Sequence, residues 1–248
     1  MGAGGGRLSC AGSHWPPVEC NLISGMAAHG DGCLKLAQRS VFFKSTSARR
    51  ISAHSILSLR YRSDLPPFQL DGPNEPGEPP PMPLAPLTGI LELRRYRPDD
   101  ADATASVFYE AVRQSARRDY NQEQVEAWAP EIFDRLAWVH ARETRMTWVA
   151  ELDGIVIGFT NLLPDGLVGM LFVHPDHERQ GVGSALLEEL ERSAVELAMP
   201  RLHTEASLTA CPMFGHAGFK IVAAQTVQLR GQSFTNFRME KWLSAAAL

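Results

Sequence analysis

Regular patterning of apolar and polar positions begins at Ile90. "ILELRRY" (90–96) alternates with period two, as a strand with one buried face does. Pro98 then opens a helix, with Asp99 and Asp100 in its first turn where the helix dipole favours acids. Ala101, Ala105, Phe108 and Val112 recur at helical spacing. A second helix is predicted over 122–128, capped by Asn121, and a third from Pro130 to about 141. "MTWVAEL" (146–152) and "IVIGFTNLL" (155–163) read as strands joined by the hairpin dipeptide Asp153-Gly154. Asp165-Gly166 turns the chain into a further strand, "LVGMLFV" (167–173), so the three form an antiparallel meander. A helix over about 183–197 carries Leu187, Leu190, Ala194 and Leu197 on one face, and Pro200 stops it. "RLHTEAS" (201–207) reads as a strand and "ACPMFGHA" (210–217) as a short helix ended by Gly218. Segments 219–229 and 233–243 form a closing hairpin around Arg230-Gly231. The sum is one α+β domain.

The first 88 residues are patterned differently. "MGAGGG" is glycine-rich, and "DGPNEPGEPPPMPLAPLTG" is proline-rich and suits an extended linker. Between them, 34–62 holds Lys35, Arg39, Lys44, Arg49, Arg50, Arg60 and Arg62 with no acid. That composition is like a transit peptide, but the stretch starts well inside the chain. Residues 1–88 are read as a disordered extension, or as an upstream stretch translated from a start codon placed too early. Met82 is the natural alternative start, and 89–248 is the folded domain. The "GAGGG" glycines follow no strand, so they are given no nucleotide role. Position 6 lacks Ser or Thr, so the myristoylation pattern fails.

Composition narrows the function classes. The chain has 248 residues, 44% apolar and 21% charged, as a soluble globular protein does. Its net charge of -4 gives no basic field, so nucleic acid is not expected as a partner. No apolar run approaches the ~18 residues of a membrane span. Cys10, Cys20, Cys33 and Cys211 lack CxxC spacing, so no metal or disulfide is expected and a reducing, cytoplasmic setting is the default.

The candidate chemistry sits in "VHPDHERQGVGSALLEELE" (173–191), where a strand gives way to a helix through small residues. A helix's first turn has unpaired N–H groups and partial positive charge, and glycines let an anion approach them. The Walker pattern is absent, and the Rossmann fingerprint fails for want of a third glycine and a parallel βαβ setting. On its own the Gly-x-Gly is as readily a structural turn.

The wider context resembles motif A of the GNAT superfamily of N-acetyltransferases, whose pattern is Arg/Gln-x-x-Gly-x-Gly/Ala at the start of the central helix. "LELRRYRPDDADA" resembles that family's first strand and helix, and "MFGHAGFKIV" its aromatic-x-x-x-Gly-Phe segment. "YNQEQVEAWAP" and "RGQSFTNFRMEKWL" resemble its YafP-like bacterial branch, and the likeness covers about 89–243. It implies a mixed, mostly antiparallel sheet of about seven strands flanked by helices and splayed between the fourth (167–173) and fifth (202–207). It also implies acetyl-coenzyme A as co-substrate, with no metal. Leu171, Phe172 and Val173 would pair with the pantetheine arm as an added strand. The backbone of Arg179, Gln180, Gly181, Val182, Gly183 and Ser184 would hold the diphosphate, and Ser207 takes the place of the family's Asn at the fifth strand's end.

The sequence departs from the family at several points. Glu178 stands where Arg or Gln is usual, Phe214 where many members have the tyrosine that protonates the leaving thiolate, and Gly169 where related sequences often carry a carboxylate. Glu205 and His203 alternate with Leu202 and Thr204, and are the candidates to take the acceptor's proton; a solvated strand face is the plain alternative. His174 is read as a loop residue and Cys211 as a small buried one. Tyr120, Trp128, Phe133 and Trp138 lie in the helical region covering the acceptor side; most are read as core, with Tyr120 and Trp128 chosen for the acceptor pocket. Glu188, Glu189 and Glu191 are read as a solvated helix face.

Three readings follow. The first is an N-acetyltransferase acting on a primary amine of a small molecule or peptide, with a homodimer compatible with the pattern. The second is a non-catalytic acyl-coenzyme A binding module, suggested by the missing tyrosine. The third is an interaction protein acting through its tail.

Overall fold

The computed structural model describes residues 48–52, 87–131 and 134–243. Within them the alternating segments pair into two sheets. Strands β1 (Arg49–Ser52), β2 (Ile90–Arg95), β3 (Met146–Leu152), β4 (Ile155–Leu162) and β5 (Val168–Val173) lie in that order and pair antiparallel throughout. Strands β6 (Arg201–Ser207), β7 (Lys220–Leu229) and β8 (Gln232–Trp242) form the second sheet, in the order β6-β8-β7. The dipeptides expected to turn hairpins do so. Asp153 and Gly154 have φ of 48° and 88°, and Arg230 and Gly231 47° and 80°, the paired left-handed geometry that matches strand twist.

The two sheets meet at one place. Leu167 and His203 form a parallel bridge, His203 N donates to Gly166 O (3.0 Å), and Thr204 Oγ1 donates to Val168 O (3.0 Å). Past this joint no ladder links β5 to β6 among the described residues, so the strands diverge toward Val173 and Ser207. The splay expected between 167–173 and 202–207 is present, with the strands on its two sides joined at Leu167 and His203. Strand β1 comes from the amino-terminal extension: it pairs with β2, and Ile51 is buried. Apart from 48–52 and 87–88, the extension expected to be disordered, with Met82 in it, lies outside the described residues, as does Phe133.

Helices fill the faces. Pro98–Asp100 is a 3₁₀ turn leading into the helix Ala101–Glu110, which widens into a π turn, Ala111–Ser115. Helix Gln122–Trp128 starts where expected, because the Asn121 side chain accepts from Gln124 N (2.8 Å) and the Gln124 side chain returns to Asn121 N (2.9 Å). The next helix runs Arg135–Glu143 and does not begin at Pro130; Asp134 supplies the cap that fixes its start, accepting from Ala137 N (3.0 Å). The central helix is Val182–Glu196, and the short helix is Cys211–His216.

The main core lies between the sheets and the central helix. Leu91, Leu93, Leu162, Leu186, Leu190, Leu202 and Phe219 are buried in it. On the central helix Glu189 is buried against Arg192 and is not on a solvated face. Arg94 is half-buried in the first sheet, held by Asp100 (2.8 Å) and Glu151 (2.7 Å). Burial alone would raise the Asp100 carboxyl, but Arg94 and the Arg97 N–H hold it below the usual carboxylate range.

Candidate functional site

After β5 the chain makes a 3₁₀ turn, Pro175–His177, in which the His174 ring accepts from Asp176 N (3.3 Å). Arg179 (φ 59°) and Gly181 (φ 89°) then take left-handed backbone, and the central helix starts at Val182. Left-handed residues ahead of a helix aim successive N–H groups into a shared concavity suited to an anion. Glu178 does not oppose this. Its carboxylate accepts from Arg118 Nη2 (2.9 Å), and Arg118 also donates to Ser115 O (3.0 Å). Arg118 lies 60 residues upstream of Glu178, a partner that no local sequence pattern shows.

Gly183 marks where three elements converge. A Cβ there would lie 3.0 Å from Met213 Sδ, 3.7 Å from Leu171 Cδ2 and 3.8 Å from Val173 Cγ2. Leu171, Phe172 and Val173 pair with Thr160, Phe159 and Gly158 on β4, and β5 ends its sheet, so its other edge faces the split. An open strand edge offers N–H and C=O groups to an extended ligand. Gln180 donates to Asp176 O (3.1 Å), and Ser184 stands half-buried in the helix's first turn.

Across the split lies a small, open recess, lined by Tyr120, Trp128, Glu205, Ser207, Val227, Leu229, Phe234 and Asn236. It brings together four of the residues singled out from the sequence. The Tyr120 and Trp128 rings meet edge to face at 5.4 Å, and Phe234 stands 5.6 and 6.0 Å from them. Trp128 also lies 6.4 Å from Phe172, which joins this aromatic wall to the end of β5. The Tyr120 hydroxyl donates to Thr235 O (3.0 Å) and accepts from Leu208 N (2.9 Å), and burial pushes its pKa up to about 12. Ser207 Oγ accepts from Ala210 N (3.1 Å). Glu205 has no hydrogen bond or ion pair among the described residues, and its carboxylate is free to act on a ligand.

Other candidates fall elsewhere. His203 sits at the joint between the sheets, its Nε2 3.5 Å from Asp165 Oδ2, and does not line the recess. Phe214 is buried in the main core, edge to face with Phe219 at 5.1 Å. Cys211 is buried beside it, and desolvation pushes its thiol pKa up. Trp138 packs against Phe108 and donates to Thr104 Oγ1 (3.0 Å), within the core. A Cβ at Gly169 would lie 2.4 Å from Asn161 Oδ1, so the packing leaves no space for a carboxylate there. Val227, Leu229, Phe234 and Asn236 were not foreseen. They look like ordinary alternation in the closing hairpin, interrupted by the polar pair Gln225 and Asn236 at inward positions.

Known proteins are similar to this chain in sequence and fold. Residues 116–241 match the acetyltransferase (GNAT) domain family. The protein named "Uncharacterized N-acetyltransferase YafP" of Escherichia coli (strain K12) is 36% identical over 149 residues, 60% of this chain and 94% of that protein. The crystal structure of a GCN5-related N-acetyltransferase from Rhodopseudomonas palustris is similar with a TM-score of 0.59 and 34% identity, over 61% of this chain and 94% of that one. The PaiA N-acetyltransferase of Thermoplasma acidophilum, solved in complex with coenzyme A, shares the fold at a TM-score of 0.51 and 19% identity, over 62% of this chain and 99% of that one.

Proposed function

The chain belongs to the GNAT family of N-acetyltransferases, and from that premise we propose that it moves an acetyl group from acetyl-coenzyme A to a primary amine held in the recess, by direct attack within a ternary complex. The observation that carries this reading is the recess itself: a carboxylate and an aromatic wall stand across the split from an open strand edge and a left-handed loop. The backbone of Leu171, Phe172 and Val173 takes the pantetheine arm as an added strand. The N–H groups of 179–184 hold the diphosphate, with Arg179, Ser184 and, once released from Glu178, Arg118 adding contacts. Ser207 lies on the facing wall.

The acceptor enters as an ammonium, so two protons leave its nitrogen, and one must reach the thiolate. Glu205 takes the first proton through a water, and the neutral nitrogen attacks the thioester carbonyl. Backbone N–H groups near Val173 polarise the carbonyl oxygen as charge develops on it. The C–N bond forms, the nitrogen gives its second proton to water, the C–S bond breaks, and the electron pair leaves on sulfur. Phe214 has no proton to give and Cys211 is buried in the core, so water protonates the thiolate. The absence of a side-chain acid also suits a second reading, an acyl-coenzyme A binding module without turnover.

One substitution tests the mechanism. Glu205→Gln is expected to lower turnover by roughly 10²-fold, the low end for a lost general base, while calorimetry shows unchanged acetyl-coenzyme A affinity. Wild-type turnover in Glu205→Gln would remove the assignment. Tight cofactor binding without thiol release on any amine would establish the binding module.

A further inference from the structure

The recess also limits what the amine looks like, an inference that rests on its serving as the acceptor site. Of its eight lining residues, Glu205 alone carries a formal charge, and no Lys, Arg or His lines it. Arg238 stands opposite Glu205 in register but is exposed and outside the lining. The recess thus favours a ligand with a single positive charge, and a carboxylate on that ligand would meet Glu205 with no cation to balance it. Val227, Leu229 and Phe234 form an apolar part of the lining, which disfavours a second ammonium.

Two polar atoms lack partners. Asn236 and Trp128 are each 8% exposed, and Asn236 Oδ1 and Trp128 Nε1 have no hydrogen-bond partner among the described residues. Buried polar groups are normally paired, so an unmatched acceptor and an unmatched donor around one recess call for a ligand bearing a donor and an acceptor. Asn236 and Ser207 are cross-strand neighbours on β8 and β6, two positions from the Glu205–Arg238 pair on the same strand parity, so the unmatched acceptor and the carboxylate share one end of the face. An ammonium there satisfies both. The Trp128 N–H then needs an oxygen on the ligand.

We propose that the acceptor is an uncharged α-amino carbonyl compound with an apolar side chain. Its ammonium meets Glu205 and Asn236 Oδ1, its carbonyl oxygen accepts from Trp128 Nε1, and its side chain packs on Val227, Leu229 and Phe234. An amino-acid amide and the first residue of a peptide share this chemistry. A free amino acid, a diamine and a lysine side chain lack one part of it or add a charge.

The test uses the full chain saturated with coenzyme A and titrates leucinamide, leucine, putrescine and a leucyl-alanyl-alanine amide by calorimetry, with thiol release from acetyl-coenzyme A measured in parallel. Leucinamide is expected to bind at least about tenfold more tightly than leucine or putrescine, the effect of one well-placed interaction. Trp128→Phe removes only the N–H and its ring edge, and Asn236→Leu the amide. Trp128→Phe is expected to erase most of that preference by weakening leucinamide far more than putrescine, whereas Asn236→Leu, which loses an ammonium contact, is expected to weaken both. Peptide binding equal to leucinamide assigns a chain terminus as the source, and much weaker binding assigns a small molecule; either upholds the class. Leucine or putrescine binding as tightly as leucinamide overturns it, as does a folded Trp128→Phe with the full preference. Selective leucinamide binding without thiol release would keep the class and sink the acetyl transfer; thiol release with putrescine alone would do the reverse.

Discussion

In the five-stranded sheet the half-buried guanidinium of Arg94 lies between Glu151 and the buried Asp100, and Asp100 also takes the N–H of Arg97 (2.7 Å). In the three-stranded sheet, Glu205 and Asn236 Oδ1 belong to the recess residues and have no partner among the described residues. Both regions bury polar groups, but only the first completes them. A completed polar network fixes a structure, whereas an incomplete one is costly unless a ligand finishes it. One residue of the first sheet departs from the contrast. Asn161 is buried beside Gly169, at the irregular β4–β5 register, with both amide atoms unpaired.

The hardest test of the contrast is to remove a completed charge. Arg94→Leu leaves two carboxylates without their cation. Breaking a buried pair in this way costs about 3–5 kcal/mol, which urea melts should show. The same pair sets an acid dependence. Asp100 titrates below its unfolded value, so its stabilisation is present above that ordinary carboxylate range and is lost as pH falls through the lowered folded value. Arg94→Leu is expected to flatten that acid loss. If Glu205→Gln cost as much stability as Arg94→Leu, the contrast between the sheets would fail.

Gly183→Asp sharpens it from the other side. An acid in the first turn suits the helix dipole, and the Cβ meets only the flexible end of Met213, so the fold should hold. The same carboxylate stands where a diphosphate would approach the N–H groups. Calorimetry is expected to show acetyl-coenzyme A affinity lower by roughly 10²-fold or more, about 2.7 kcal/mol, with the melting temperature unchanged. Unchanged affinity in a folded variant would remove the loop from the cofactor site.

Tyr120 is a completed polar group in the incomplete half. Its hydroxyl ties the segment before helix Gln122–Trp128 to Leu208 and Thr235. Tyr120→Phe keeps the ring against Trp128 and Phe234 but strands Leu208 N and Thr235 O. A loss of about 1–2 kcal/mol in stability is expected, with a smaller change in cofactor affinity. A large loss of turnover at full stability would make the phenol a participant and not a tie.

What the sequence made legible followed from local rules. Asp153-Gly154 and Arg230-Gly231 turned hairpins because few dipeptides accept two left-handed residues. Asn121 announced its helix by a cap within three residues. Period-two patterning located β2 to β8, and Glu205, Ser207, Tyr120 and Trp128 were all named before the recess was seen. What stayed hidden was non-local. Arg118 reaches Glu178 from another element, and His203 is drawn to Asp165 at the joint, away from the recess its strand parity suggested. Phe234 and Asn236 carry no signal until β8 is laid between β6 and β7.

Strand β1 is the last hidden element and the smallest expected effect. Its sequence, RRIS, has one apolar residue and no alternation, so nothing local distinguishes it from the basic stretch around it. Its pairing with β2 buries Ile51 near Leu91, which contributes about 1.5–3 kcal/mol. Ordering its four residues costs about 1–2 kcal/mol each in backbone entropy, partly offset by the ladder hydrogen bonds. The terms nearly cancel, so a chain beginning at Met82 is expected to lose at most about 1 kcal/mol. None of the recess or loop residues lies in β1, so acetyl-coenzyme A affinity should be retained. Calorimetric melting and cofactor titration of the shortened chain check both. A loss greater than that of Tyr120→Phe would make β1 part of the folding unit. A loss of cofactor affinity would tie the extension to the site and extend the incomplete half of the molecule beyond the second sheet.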